Sequence, residues 1–440
     1  MTEIIHENLL HFVWKHRLLP LKQLYTVQGQ PLEVIDPGLY NMDAGPDFTN
    51  AKVRIGKTVW VGNVELHLRA QDWYVHRHDK NSVYDTVILH VVLEGKELVK
   101  NSKGEVLPQL VIQIPHHIQE RYQHLKVSQE LIPCRSVFPS LTPMEIHGWM
   151  ERLLVERLED RYDRIQRHLQ TTQFNWNAVF FIVLARTFGF GKNSDVFEAW
   201  ALSLPYNLLI KHSADIVEVE AIFFGTAGLL HQEFLSDHFW NMSEEGQQYY
   251  EILLQKYAYL KHKYSLKEIS YTQWKFLRTR PYNFPPVRLM QLAAIYQLLC
   301  YRVMDLLEGN VDYRALLKGL RFGPYWDKHD CLNHPEENTL FRLTDKTIDL
   351  IELNCIIPLM YALSKHKGHP QGQEDSAQWA IRHFTELRPE TNRIIQIWTT
   401  SGLEVRNAGD TQALLELQKK YCDTKNCLRC RFGFKYLKQL

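Results

Sequence analysis

Several things are scarce in this chain of 440 residues. No uninterrupted apolar run reaches the ~20 residues that a membrane-crossing helix needs, which predicts a protein without membrane spans. The formal net charge is +1, from 51 Lys and Arg against 50 Asp and Glu. That balance removes any global electrostatic case for a nucleic-acid or membrane-surface partner, so such a partner must be argued from local patches. Seven cysteines are few and unevenly placed, which excludes a disulfide framework and predicts free thiols with a metal site among the last three. The amino terminus, MTEIIHENLLHFVWKHR, offers acidic and histidine residues where a secretion signal needs a basic start and an apolar core, so the expected location is cytoplasmic. Internal repeats and low-complexity tracts are missing as well. What is present, 45% hydrophobic and 23% charged residues, describes folded domains, and the length allows two or three of them.

Chemistry concentrates between Ala44 and Leu68, AGPDFTNAKVRIGKTVWVGNVELHL. Asn50 to Ile55 alternates small or apolar residues with Lys52 and Arg54, Gly56-Lys57 supplies a turn, and Thr58 to Leu68 reads as a second strand. The two-residue period puts Val64, Leu66 and Leu68 on one face and Val61, Asn63, Glu65 and His67 on the other. Asp47, at the mouth of this hairpin, is therefore expected to meet Glu65 across neighbouring strands with His67 alongside. Oxygen ligands so placed suit a divalent cation, Mg²⁺ or Mn²⁺. The plain alternative is a wet sheet face with a Gly45-Pro46-Asp47 turn.

Pro46-Asp47 at the start of one strand and Glu65-Leu66-His67 on the next resemble the signature of the PD-(D/E)XK, restriction-endonuclease-like nucleases, with histidine where that family has lysine. The order of elements agrees with the family's helix, three strands, helix, strand: a helix over Ile4 to Leu18, a short strand over Leu32 to Ile35, the hairpin, the polar-aromatic segment DWYVHRHDKNSVYD, and the apolar run VILHVVL at Val87 to Leu93. The resemblance implies catalytic roles for Asp47, Glu65 and His67, and secondary roles for Glu7 on the first helix and for His78 and Tyr84. More closely, GPDF, GNVELH, DWYVHRHD, LHVV, FGTAGLL and RPYNFPPVRLMQLA resemble an uncharacterised bacterial family, known as a domain of unknown function, over nearly the whole chain. That likeness implies no activity.

The fold class expected is mixed α+β: a restriction-endonuclease-like sheet flanked by helices over 1–130, a proline-marked linker over 131–143, a large all-α domain over 144–415, and a Cys-rich basic tail over 416–440 packed on the helical domain. Leu110 to Ile114 reads as an edge strand. After Met144 the periodicity becomes helical: Glu151 to Leu169 is amphipathic and ion-paired, and Trp176 to Phe188 is apolar all round.

Two further stretches bear chemistry. Lys256 to Arg288 interleaves Lys275, Arg278, Arg280 and Arg288 with Tyr257, Trp274, Phe276 and other rings, the composition of a single-stranded nucleic-acid groove. The competing reading is a helical core with lysines outward. Cys422, Cys427 and Cys430 form C-x4-C-x2-C, which suits Zn²⁺, or less readily an iron–sulfur cluster, with a fourth ligand among Cys134, Cys331 and Cys355. In some nucleases of the family such a cluster pins the carboxy-terminal region, with one cysteine ahead of the core. This chain has none there.

The leading expectation is a metal-dependent phosphodiesterase acting on DNA or RNA, with Asp47 and Glu65 holding the metal and His67 as proton acceptor or ligand. Two alternatives stand beside it. In one, His76, His78 and His90 join the carboxylates in a transition-metal hydrolase site for a small substrate. In the other, a degenerate nuclease fold binds nucleic acid without cleaving it.

Overall fold

Period-two alternation between Phe48 and Arg69 produces the hairpin that it predicts, and the rest of the sheet grows from it. The structure, a computed structural model, describes residues 6–19, 23–234, 243–277, 283–323, 325–326, 343–368 and 375–439. Helix α1 is Glu7–Lys15, and the strands are β1 (Leu24–Tyr25), β2 (Pro31–Asp36), β3 (Leu39–Tyr40), β4 (Phe48–Ile55), β5 (Thr58–Arg69), β6 (Val87–Glu94) and β7 (Gln109–Val111). The sheet runs β1-β2-β4-β5-β6-β7, with β3 paired to β4. The pairs β2·β4 and β4·β5 are antiparallel, whereas β5·β6 and β6·β7 are parallel. VILHVVL is buried almost throughout, as a strand covered on both faces must be.

The strand expected at an edge is covered. Thr26 bridges Leu110 in antiparallel sense, and the Val27 N–H donates to the Gln109 carbonyl at 2.7 Å, so the sheet bends nearly closed and the backbone groups there are paired. Two local devices shape the centre. Asn50 at φ +55° forms a bulge in β4 between Phe48 and Ala51, and bulges re-aim neighbouring side chains. Opposite it, a Cβ on Gly62 would lie 2.4 Å from Ile88 Cγ2, so only glycine lets β5 approach that side chain so closely.

The crossover from β5 to β6 differs from the helix expected there. It consists of one turn of helix, α2 (Asp72–Val75), and two 3₁₀ turns, His78–Lys80 and Ser82–Thr86. Arg77 at φ +60° interrupts helical geometry, and Asn81 caps the second turn by accepting from the Val83 N–H.

Two compact units divide the chain. The first comprises Met1–Trp149, Thr391–Glu404 and Leu414–Leu440, and the second Met150–Glu390 and Val405–Ala413. A helical region follows the sheet, as the change of period predicts, including α3 (His116–Val127), α4 (Pro143–Thr171), α5 (Trp176–Phe188), α6 (Ser194–Ser203), α7 (Tyr206–His212) and α8 (Ile216–Thr226). Residues Ala178 to Ala185 of α5 are all buried. Among the described residues one stretch, Asp345–Lys367, is long and apolar enough by composition to cross a membrane, and most of it is buried within the protein.

Two expected boundaries move. The stretch read as a linker holds a packed 3₁₀ turn, Arg135–Ser140, with Val137 and Phe138 buried. The tail, expected on the helical domain, belongs instead to the sheet unit. Its last helix, Arg431–Lys438, buries Phe432 and Leu437, Phe432 meets Phe138 edge-on at 5.4 Å, and Lys425 Nζ donates to the Ser128 carbonyl at 2.8 Å.

Candidate metal centre

Neighbouring strands at the hairpin mouth lock the two acids together. The Asp47 N–H donates to Glu65 Oε2 at 3.0 Å, and the Leu66 N–H donates to Asp47 Oδ2 at 2.9 Å. This reciprocal pair fixes which way Glu65 faces. Its Oε2 is held by backbone, and its Oε1 turns toward imidazoles, 3.3 Å from His78 Nε2 and 3.7 Å from His67 Nε2. The expected approach of Asp47 and Glu65 is therefore observed. Asp47 Oδ2 also faces His11 Nε2 on α1 at 3.3 Å.

Three histidines gather beside Glu65, and two of them, His67 and His78, face its Oε1. His67 comes from β5, and His76 and His78 come from the crossover. Suitable ligand atoms of these three lie within 4.8 Å of one another. His67 Nε2 is 3.1 Å from His76 Nδ1, and the His67 and His78 rings stack at 5.3 Å. Two residues apart on regular helix, His76 and His78 would point apart. The left-handed turn at Arg77, φ +60° and ψ +32°, folds both toward His67, a conformation that costs an arginine about 1 kcal/mol. Tyr84 stacks on His78 with ring centroids 3.7 Å apart.

Protons in this cluster can be assigned from its outer end. The Gly95 carbonyl can only accept, so Gln109 directs Nε2 to it, at 3.3 Å, and Oε1 to His90 Nδ1, at 3.2 Å. His90 Nδ1 must then carry hydrogen, and its Nε2 is a lone pair. That lone pair accepts from His67 Nδ1 at 2.9 Å. A neutral His67 consequently presents a bare lone pair at Nε2, directed toward His76 Nδ1 and Glu65 Oε1. His67 is neutral at any ordinary pH, because burial, then the neighbouring His90, His78 and His76, push its pKa down to about 2. Burial likewise lowers His90 to about 4. Metal-bound imidazoles characteristically donate their second N–H to an outer acceptor, and the chain His67–His90–Gln109 has the same arrangement.

Distances among these atoms suit a small cation. A tetrahedral ion with ligand bonds of 2.0–2.1 Å separates its ligand atoms by about 3.3 Å, against 3.1, 3.3 and 3.7 Å here. His78 Nε2 is buried without an aligned hydrogen bond, so its contact with Glu65 leaves room for a better partner. His76 is exposed, which opens the cluster to solvent on one side. Burial raises the Glu65 carboxyl above its ordinary range despite the opposing His78 contact. Burial also raises Glu7 on α1, against the influence of His11. For His11, burial alone would lower the pKa, but the Asp47 contact and the charges of Asp47, Glu7 and Glu65 outweigh it and hold the ring above its ordinary value. Tyr84 is raised to about 12, by burial and then by Glu65 and Asp47.

Of the site residues read from the sequence, Glu7, Asp47, Glu65, His67, His78 and Tyr84 gather here. His76 and His90, weighed there only for the small-substrate alternative, join them. His11 and Gln109 were missed. His11 lies one helical turn after Glu7 and was legible in principle, whereas Gln109 reaches His90 only through the β6·β7 register.

Part of the basic-aromatic stretch is built into the helical unit. Arg288 is buried, with Nη1 donating to Gln291 Oε1 at 2.7 Å, Nη2 donating to Asn283 Oδ1, and its guanidinium 4.1 Å from the Phe190 ring centroid. It is internal structure, not a phosphate contact. Tyr257 and Trp274 are core residues, Lys256 contacts Asp215 at 2.9 Å and Lys261 contacts Glu268 at 2.6 Å. Lys275 is exposed, while Arg278 and Arg280 lie outside the described residues, as does Cys331. Cys422, Cys427 and Cys430 all lie in the sheet unit.

No curated protein and no solved structure matches this chain. Residues 7–393 match the family described as Protein of unknown function (DUF2851), and the chain belongs to that family.

Proposed function

We propose that the sheet unit is a metal-dependent phosphodiesterase acting on DNA or RNA, built on a transition-metal ion held by Glu65, His67, His76 and His78. The observation that carries this reading is the convergence of His67, His76 and His78, whose ligand atoms lie within 4.8 Å of one another, with Glu65 Oε1 beside His67 and His78 and His67 unable to offer a proton there. Three imidazoles and one carboxylate favour Mn²⁺, Co²⁺ or Zn²⁺ over Mg²⁺. The metal-binding set is thus displaced from an Asp47/Glu65 pair toward the histidines, and Asp47 becomes the residue that locks Glu65 in place. The strand order supports a phosphodiester substrate: Pro46-Asp47 opens the second strand of an antiparallel meander, Glu65-Leu66-His67 lies on the third, and a parallel strand follows the crossover, as in the nucleases that the sequence resembles.

When bound, the ion would polarise a phosphoryl oxygen and acidify a coordinated water. The chain's own residues do the rest. Gln109 and His90 hold the His67 ring in one tautomer and orientation. His11, whose pKa the Asp47 contact and the neighbouring carboxylates raise, is the imidazole here best able to bring a positive charge near the reacting phosphate, the service that the nuclease lysine provides and the neutral His67 does not. Glu7, whose carboxyl is raised by burial, takes and returns the proton of the attacking water.

The test incubates purified protein with single- and double-stranded DNA and RNA, and with a small aryl phosphodiester, in Mg²⁺, Mn²⁺, Co²⁺ or Zn²⁺. Cleavage of nucleic acid with a transition metal, absent from Glu65→Gln and His67→Ala, is the expected result. Turnover of small esters with nucleic acid untouched assigns the site to a small substrate, and binding without cleavage makes the fold a binding module. Full cleavage by His67→Ala overturns the proposal.

A further inference from the structure

A run of cations without carboxylate partners borders the candidate site in the same unit. Helix α1 carries Glu7 and His11 at the site and, four residues further and on the same face, Lys15. The steps outward are short. His11 Nε2 is 3.3 Å from Asp47 Oδ2, its ring lies 5.7 Å from that of Tyr40, and the Lys15 ammonium stands 5.5 Å from the centre of the Tyr40 ring. The next residue, His16, packs on Phe434 of the last helix with ring centroids 4.5 Å apart, and Lys438 Nζ is 5.9 Å from the Phe434 ring. Two residues after Tyr40, the Met42 sulfur accepts from Arg429 Nη2 at 3.4 Å. All of these residues belong to the sheet unit.

Lys15, Arg429 and Lys438 are exposed, and among the described residues none of the three is paired with a carboxylate. Other cations of the tail are neutralised: Lys420 is bridged to Glu416 at 3.0 Å and Lys435 to Glu145. Residues 414–440 hold seven Lys and Arg against two acids, so the tail brings a local positive surface to a chain that is nearly neutral as a whole. Burial, then the charges of Lys15 and Lys438, lower His16 to about 4, as expected of a ring set among unneutralised ammonium groups.

Apolar side chains stand open among these cations. Leu39 and Met42 are 69% and 71% exposed, the Tyr40 ring is partly covered, and Asp43 is the one exposed acid of residues 41–47. A duplex turns its bases inward and would leave such side chains facing water. A single strand offers its bases to them while its phosphates meet the cations. Four residues of helix advance about 6 Å, so His11 and Lys15 are spaced to meet successive phosphates of an extended strand.

We propose that Lys15, Arg429 and Lys438, with Leu39 and Met42 open among them, form the surface along which a single strand of nucleic acid lies as it enters the metal centre. The proposal rests on the phosphodiesterase reading above, and adds to it which form of nucleic acid is bound and by which residues.

The experiment measures binding without turnover. The full chain is titrated in EDTA against a fluorescent single-stranded DNA or RNA oligonucleotide, and against the matching duplex, from about 50 to about 200 mM salt. The single strand should bind about tenfold more tightly than the duplex. Lys15→Gln, Arg429→Gln and Lys438→Gln should each weaken it and lower the slope of log affinity on log salt by about 0.7. Leu39→Ser with Met42→Ser should weaken single-strand binding and leave that slope unchanged. Turnover of the small aryl phosphodiester should stay at the natural level in every variant, which also reports that each is folded. Binding lost from the variants while the natural chain cleaves nothing would sink the hydrolase and support this surface. Cleavage by the natural chain, with affinity and salt slope unchanged when all three cations are replaced together, would sink this surface and leave the hydrolase standing. Duplex bound more tightly than single strand, or vesicles of phosphatidylglycerol bound with neither nucleic acid held, would also overturn the proposal.

Discussion

The two units bury their polar groups in opposite ways. In the helical unit, several charged side chains are closed by partners of opposite sign from the chain itself. Arg314 lies between Asp349, at 2.6 Å, and Glu352, Glu198 is held by both His168, at 2.8 Å, and Arg186, and Glu218 by His212, at 2.6 Å, and Lys256, at 3.5 Å. In the sheet unit, Glu65 faces imidazoles of which one, His67, is held neutral and offers only a lone pair. Closed networks hold a fold together, and on the function proposed above the open one is built for an ion.

The largest effect that sharpens this contrast is on activity. His67→Ala should lower metal-dependent turnover by about 10³-fold and empty the histidine site, measured by steady-state kinetics and by metal content after dialysis. Stability should change far less, because the site's purpose is not cohesion. Arg314→Ala should do the reverse. It strands two carboxylates, so chemical denaturation should show a loss of about 2–3 kcal/mol, with metal content unchanged. A variant that lost metal and kept its stability would break the comparison from the helical side.

Glu220, fully buried in the helical unit, tests the same contrast through pH. It accepts from Tyr249 and from Trp326 Nε1, and burial raises its carboxyl to about 7. Because the folded value exceeds the unfolded one, near 4.5, its stabilising effect is complete at acid pH and fades as pH rises through 7. The natural chain should therefore lose up to about 3 kcal/mol between pH 4.5 and pH 7 on this account. Glu220→Gln should flatten that slope in denaturation measured across the same range.

Smaller still is the outer end of the histidine relay. Gln109→Leu leaves His90 without its acceptor and should weaken metal affinity by 10–100-fold, read by competition with a chromogenic chelator, with the metal still binding. An unchanged affinity would show that the proton assignment along His67–His90–Gln109 does not orient the ligand.

The strands and the facing of Glu65 and His67 were legible because a two-residue period needs no tertiary knowledge. His76 and His78 were visible as residues but not as a pair, since nothing in Val75-His76-Arg77-His78 announces a left-handed arginine. The His90–Gln109 contact depends on the register of two parallel strands, which sequence pattern does not fix. The stretch from Lys256 to Arg288 misled for a related reason: lysines that look unpaired along the chain meet Asp215, Glu218 and Glu268 in space. The tail was placed on the wrong unit because its apolar face, Phe432 and Leu437, could be seen but its partner, the turn holding Phe138, read as a proline-rich linker.

The claim on which the account rests is that one ion joins Glu65 and three histidines. Crystals grown with Co²⁺ or Zn²⁺, with anomalous scattering recorded on both sides of that metal's absorption edge, test it directly. The account predicts a peak within about 2.0–2.2 Å of Glu65 Oε1, His67 Nε2, His76 Nδ1 and His78 Nε2. Metal bound elsewhere, with these four side chains in the same places and no peak between them, would contradict it.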